Sequence, residues 1–434
     1  MAISLRPAAW LDDCGLDGAQ RRSVLWLLAS VLSNSVFCRL TVFGSAFVLF
    51  LDHLGLDKAR IGMLLSLIPF AGLLALVCAP FVARIGYRRA YIGFFSVRKM
   101  AIALILALPW VSERLGSRAG LLWVAGLILV FAVCRAIGEI GAYAVFQEVV
   151  PNPVRGRFSA ATYAAITLTG IPATLAAGFV LRGTPDTSRY LSVIGIGLAF
   201  GVVSVASLVF VRAGDPEPRA AGEATAFRDM RAAIRDATFL RYMAGVACAS
   251  VGLSAFAFAP LFLKECVGLA PGVVVWLEAA AAAGGLGTAG LWGRSADRRG
   301  SKPVLLIGIG GFAVAMAAIG IPGVVRDAWT ALILAASVGA VQTGWYIGAE
   351  RYLFVRIIPS ERKAGYIAVY YACAGVANGI GPLLGGKLAV LSSASAAPYA
   401  PLFFTAAALS AVAAALMRSL PLERTGSPAR PIPM

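Results

Sequence analysis

Charge is scarce in this sequence: Asp, Glu, Lys and Arg make up 14% of 434 residues, against 59% hydrophobic. So little polar surface cannot cover a water-soluble globule, and a mean hydropathy of +0.82 places the chain in lipid. Histidine is scarcer still. The single His53 stands beside Asp52 in a polar break between apolar stretches. No His-based triad, haem pair or His-rich metal site can therefore form within the membrane, which argues against a membrane enzyme. A Gly-rich phosphate loop ending in Lys-Ser/Thr is also missing, which argues against a nucleotide-driven pump. The seven cysteines have no framework spacing. Cys38, Cys78, Cys134, Cys248 and Cys373 fall in apolar stretches, Cys14 precedes the first, and Cys266 lies near an outer loop. Neither a cofactor nor a metal is expected.

What the chain has is apolar length. Stretches run over about 24–50, 61–82, 91–111, 119–149, 158–181, 190–211, 240–263, 271–292, 303–324, 328–354, 364–391 and 398–417. Each reaches the ~20 residues that cross the hydrocarbon as a helix, the form that satisfies its own backbone in lipid. The expected fold is an all-α membrane protein, with twelve transmembrane helices in two pseudo-symmetric six-helix bundles. The first stretch follows Arg21 and Arg22 and is too long for a signal-peptide core, so it reads as a retained span.

Acid is the rarer sign of charge, 21 Asp and Glu against 38 Lys and Arg, for a net charge of +17. The distribution explains the excess without nucleic acid. With both termini inside, cytoplasmic segments hold 24 of the 38 basic residues, outer loops 8, and spans 6. That bias is the positive-inside rule and sets the expected orientation, N and C termini cytoplasmic. High Arg-over-Lys usage and abundant Ala suggest a bacterial inner membrane. The expected partners are a small solute, protons and the bilayer, with the chain a monomer.

A basic loop occurs twice. APFVARIGYRR at 79–89 and GRSADRRGSKP at 293–303 place Arg84, Gly86 and Arg88 opposite Arg298, Gly300 and Lys302, each 214 residues later. VPNPVRGRFSA at 150–160 and IPSERKAGYIA at 358–368 form a second pair. Duplication of apolar halves in a membrane points to transport. The segments expected are a cytoplasmic tail over 1–20, bundles over 21–211 and 240–418, a linker over 212–239 and a disordered tail over 419–434. Within the linker, Phe227, Met230 and Ile234 share a helical face suited to the inner leaflet, and a flexible tether is the alternative. Trp10 and Leu11 are candidate interfacial anchors.

Together, two parallel sets of six spans, the basic loop after spans 2 and 8, and a cytoplasmic linker resemble the major facilitator superfamily over nearly the whole chain. In that family the loop reads roughly Gly-x-x-x-Asp-Arg-x-Gly-Arg-Arg. The second copy fits through Gly293, Asp297, Arg298, Gly300 and Lys302, while the first has Ala79 and Ala83 where glycine and aspartate stand. The resemblance implies that these loops latch the cytoplasmic side, with Asp297 facing the start of span 5 near Arg155 and Arg157. Span 11 carries GVANGIGPLLGG, including Gly379, Gly381 and Pro382. Small residues permit close helix approach and proline opens the hydrogen-bond ladder, so this run reads as packing and hinge apparatus.

Charge within a span is expensive, so it marks candidate sites. The resemblance directs the search to spans 1, 4, 7 and 10. Span 1 carries Asn34 and Arg39, span 4 Arg135 and Glu139, and span 10 Gln342, Trp345, Tyr346 and Glu350. Arg135 and Glu139 are four apart and can pair on one face, and Arg135 resembles the span-4 arginine of proton-coupled members. Expected substrate contacts are Asn34, Arg39, Arg135, Gln342, Trp345 and Tyr346, with Glu139 and Glu350 as proton carriers. Arg98 and Lys99 in span 3 are expected to reach the inner headgroups. Basic residues within spans outnumber acids, which favours an anionic or polar substrate over a lipophilic cation. The chain therefore reads as a secondary transporter; a drug exporter and a non-transporting receptor are the alternatives.

Overall fold

The computed structural model describes residues 18–150, 152–212, 223–359 and 363–422. Trp10, Leu11, Cys14 and the tail beyond Leu422 lie outside them. Every regular element among the described residues is helical. Ten helices are long and apolar enough to cross a membrane, and a bent pair, Tyr87–Ile105 with Leu108–Leu115 at 54°, makes an eleventh. The remaining expected span, the second, is split into Lys58–Ala71 and Leu74–Ile85. Pro69 lies just before the break, where Gly72 N–H reaches the Pro69 carbonyl at 3.1 Å and the helix ends in a turn. Span 2 is thus a broken helix, as spans 1, 3 and 7 also are.

The chain forms two compact units, one of Met1–Leu56 and Leu67–Pro218, the other of Asp57–Ser66 and Arg219–Met434. In unit 1, span 1 runs over Gly18–Thr41 and, after a break, Ser45–His53. Span 3 is the bent pair, span 4 is Ser117–Val149, span 5 Asn152–Val180 and span 6 Thr187–Val209. In unit 2, span 7 runs over Ala237–Ser254, passes through the tighter turn Ala255–Phe258 and resumes at Ala259–Glu265. Spans 8 to 12 are Pro271–Arg299, Ser301–Gly320, Ala328–Tyr352, Lys363–Leu391 and Ala400–Arg418.

Duplication is visible in each unit separately. Span 1 packs on spans 5 and 6, and span 7 on spans 11 and 12; span 3 packs on 4 and 6, as span 9 does on 10 and 12. The repeated loop shows why its residues recur. Gly86 and Gly300 have φ of 96° and 86°, a conformation glycine adopts without a Cβ penalty, and each turns one span into the next. Two residues further, Arg88 donates to the Val209 and Val211 carbonyls at 2.9 and 3.0 Å, past the end of span 6. Its counterpart Lys302 donates to Arg418 O at 2.8 Å and to Leu420 O, at the end of span 12. Orphan carbonyls at a helix C-terminus attract cations, so the basic loop closes each six-span unit on its own last helix.

Packing inside the units relies on small residues rather than on a hydrophobic drive that lipid does not supply. A Cβ at Gly339 would sit 1.8 Å from the Ala281 carbonyl oxygen, and one at Gly308 would sit 2.3 Å from Trp345 N. The helix Glu223–Ala233 docks on span 11, where a Cβ at Gly365 would meet Asp229 and Met230. Ile234 is exposed, Ala233 is buried, and Tyr366 Oη donates to Asp236 at 3.1 Å. The helix is fastened to unit 2 through its backbone and small residues, and of the face expected to lie on lipid Ile234 is exposed.

Candidate functional site

The polar centre of unit 1 gathers residues from spans 1, 3, 4 and 6. Arg135 donates from Nε to Glu139 Oε1 at 2.7 Å, one helical turn along span 4, and each side chain keeps about a third of its exposure, 30% and 35%. The Arg135 guanidinium also lies 5.0 Å from the Phe43 ring, in the break of span 1. The pair thus meets water while the carboxylate is held by the guanidinium. Asn34 accepts hydrogen bonds through one oxygen from Arg98 Nη2 and from Lys99 Nζ, the latter at 3.3 Å. Arg98 is 1% and Lys99 4% exposed, so neither reaches headgroups. The expectation that they do is corrected. Spacing along one helix cannot show that Phe37, Phe95 and Phe131 close over the span-3 cations.

Arg39 stands near the break of span 1, as its sequence position suggests, but lies against span 5: a Cβ at Gly170 would be 2.8 Å from its Nε. The structure thus brings Asn34 and Arg98 together, and Arg135 and Glu139 together, and turns Arg39 to another neighbour.

In unit 2 the expected wall on span 10 divides. Trp345 is 4% exposed and packs where span 9 presents Gly308, whereas Tyr346 is 54% exposed. Residues three and four apart share a face only broadly, and the narrow approach of span 9 takes the Trp345 edge of it. Gln342 is half-buried and Glu350 exposed. Tyr370 and Tyr371 of span 11, 5.4 Å apart between ring centroids, lie close enough to interact electrostatically with Glu350, and Tyr370 also with Tyr346. The paired tyrosines were legible as aromatics but not as neighbours of span 10. Tyr242, fully buried, ties span 7 to span 10 by donating to the Ala349 carbonyl at 2.9 Å.

Of the loop residues, Asp297 accepts from Arg351 Nη1 within unit 2. The side chains of Arg155 and Arg157, its expected partners, lie outside the described residues. Arg84 and Arg298 are exposed in the last turns of their helices. A Cβ at Gly293 would meet nothing within 4 Å, which explains how alanine is accommodated at the equivalent position 79. On span 11, Gly379 and Pro382 are buried, and a Cβ at Gly381 would come 2.3 Å from Ser254 Cβ where span 7 breaks.

Residues 242–433 match the family model described as Major Facilitator Superfamily. Solved transporters share the fold across both halves: a D-xylose-proton symporter has a TM-score of 0.70 at 15% identity, covering 93% of this chain and 98% of that one. The family match falls in the second half of the chain, and the likeness to these solved transporters is one of fold. The nucleoside transporter NupG is similar at a TM-score of 0.68 and 14% identity, over 93% of this chain and 99% of its own. The E. coli xylose transporter XylE, in a partially occluded inward-open form, gives 0.66 at 14% identity, over 95% and 100%. In sequence, the multidrug resistance protein MdtG of Dickeya zeae (strain Ech586) is 35% identical over 98 residues. That match spans 23% of each chain, under a quarter of the curated relative's length.

Proposed function

We propose that the chain is a major facilitator, a secondary active transporter of a small polar or anionic organic solute, working by alternating access and coupled to protons. The observation that carries the reading is the Arg135–Glu139 pair, a partly exposed carboxylate held by a guanidinium on a membrane-spanning helix. Asn34, Arg39 and Arg135 supply donors and positive potential for the solute, Gln342 and Tyr346 supply polar and aromatic contact, and Glu139 or Glu350 carries the proton. The surplus of basic residues in the spans supports a polar or anionic cargo. A fold shared with a D-xylose-proton symporter and a nucleoside transporter supports small polar cargo and proton coupling.

A second reading is favoured by one observation, the 98-residue likeness to a multidrug resistance protein. It makes the chain an exporter of lipophilic cations, for which the basic surplus is unfavourable. The test is a thermal-shift screen of the detergent-purified protein against sugars, nucleosides, organic acids, amino acids and cationic drugs at pH 5.5 and 7.5. A polar or carboxylated hit that weakens in Arg135→Ala and Arg39→Ala supports the first reading. Hits confined to cationic drugs replace it with the second. The reading also places both termini in the cytoplasm of a bacterial inner membrane, which cysteine labelling of the loops at Arg118 and Arg294 from either side would check.

A further inference from the structure

Arg98 and Lys99 are adjacent on span 3, about 18 Å along the helix from its start at Tyr87 and so deep in the span. Both are buried, at 1% and 4% exposure. They share one acceptor, the neutral Asn34 Oδ1, and the Arg98 Nε has no hydrogen-bond partner among the described residues. Phe95 stacks on the Arg98 guanidinium at 3.6 Å, leaving its ring and that of Phe37 at 4.9 and 5.0 Å from Lys99 Nζ. The Lys99 stem lies in space that Gly201 of span 6 leaves open.

The groups facing this pair can be named element by element. Span 1 contributes Asn34, Phe37 and the Cys38 thiol. Span 4 contributes Phe131, Cys134, and Arg135 with Glu139, whose Oε1 is taken by Arg135. Span 3 contributes Tyr91, and span 6 contributes Gly201 and Ser204, the latter bonded to Ser30. From span 2, Val82 and the half-buried Cys78 pack near Phe94 on the outer side of span 3, with no charge among them. No carboxylate is thus committed to either span-3 cation among the described residues. Two adjacent full charges in low dielectric, sharing one amide oxygen, repel each other and lack solvation. One of them must shed its proton, and a guanidinium does not, whereas an ammonium readily does.

We propose that Lys99 is a proton-binding site of unit 1, held in the resting protein as the neutral amine against the fixed charge of Arg98, and able to take a proton when its surroundings are hydrated. A neutral amine keeps a proton to donate to Asn34, so the observed contact is retained. Its use in transport rests on the proton-coupled reading above; its protonation state does not.

The test counts protons on unfolding. Purified protein in unbuffered solution at pH 8 is denatured with urea and dodecyl sulfate while an indicator dye follows proton uptake. An unfolded lysine is protonated at that pH, so wild type is expected to take up one proton more than Lys99→Met. Equal uptake overturns the proposal, because it means Lys99 was already charged. If Lys99→Met does not fold, Asn34→Asp serves instead. Whether the new carboxyl keeps Lys99 charged or is itself protonated beside the amine, net uptake is expected to fall by one; unchanged uptake overturns the proposal. Neither result depends on a substrate. The proton-coupled reading fails separately, if Glu139→Gln and Glu350→Gln both leave the pH profile of transport unchanged.

Discussion

At the level of single residues, the clearest physics is in the turns and caps. Gly300 sits at φ 86° and ψ 165°, a region essentially reserved for glycine. Gly300→Ala is expected to cost about 1–3 kcal/mol, read as a lowered melting temperature with the fold retained. Lys302 is 7% exposed and satisfies two carbonyls at the end of span 12. Hydrogen bonds from a charged donor are the stronger kind, so Lys302→Met is expected to cost about 2–3 kcal/mol. Arg88→Met should act in the same direction at span 6. Asp327 caps span 10 by accepting from Thr330 N at 2.8 Å, and that backbone hydrogen bond first, then the Thr330 hydroxyl, hold its carboxyl below the ordinary carboxylate range. A depressed folded-state pKa gives stability that is present above the unfolded value, near 4, and lost as pH falls through the folded value. Asp327→Ala should therefore melt a few degrees lower than wild type at pH 7, and the gap should close as the pH is taken below about 4.

Helices and their pairings bring out what a linear pattern conveys and what it does not. Hydropathy located every span because lipid demands the same length of each, and the 214-residue offset located the turns that need glycine and a cation. The break in span 2 was less legible, since proline within an apolar run either bends or ends a helix according to its neighbours. Arg98 and Lys99 were misjudged for a similar reason. A cation in a span either stretches to headgroups or is boxed in, and only the rings brought from spans 1 and 4 decide which. Glycines carry the same lesson and yield a matched prediction. Gly293→Ala meets open space in mid-helix and should be neutral or stabilise by about 0.5–1 kcal/mol, as alanine does over glycine in a helix. Gly381→Ala drives a methyl into Ser254 and should cost about 1–3 kcal/mol. Thermal melts of the two variants side by side would check it.

For the molecule as a whole, the candidate site was half legible. Arg135 and Glu139 emerged from helical spacing and pair as that spacing predicts. The span-10 wall was overestimated, because Trp345 is buried where its backbone meets span 9, and Tyr370 and Tyr371 escaped notice because their relation to Glu350 is tertiary. The central claim is that a membrane-embedded carboxylate couples solute movement to protons. It is tested most directly in proteoliposomes loaded with a solute identified by thermal shift, comparing wild type, Glu139→Gln and Glu350→Gln. The account predicts that a pH gradient drives accumulation in wild type, and that at least one variant loses this drive while still exchanging solute across the membrane without a gradient. Wild-type accumulation with an unchanged pH profile in both variants would contradict it.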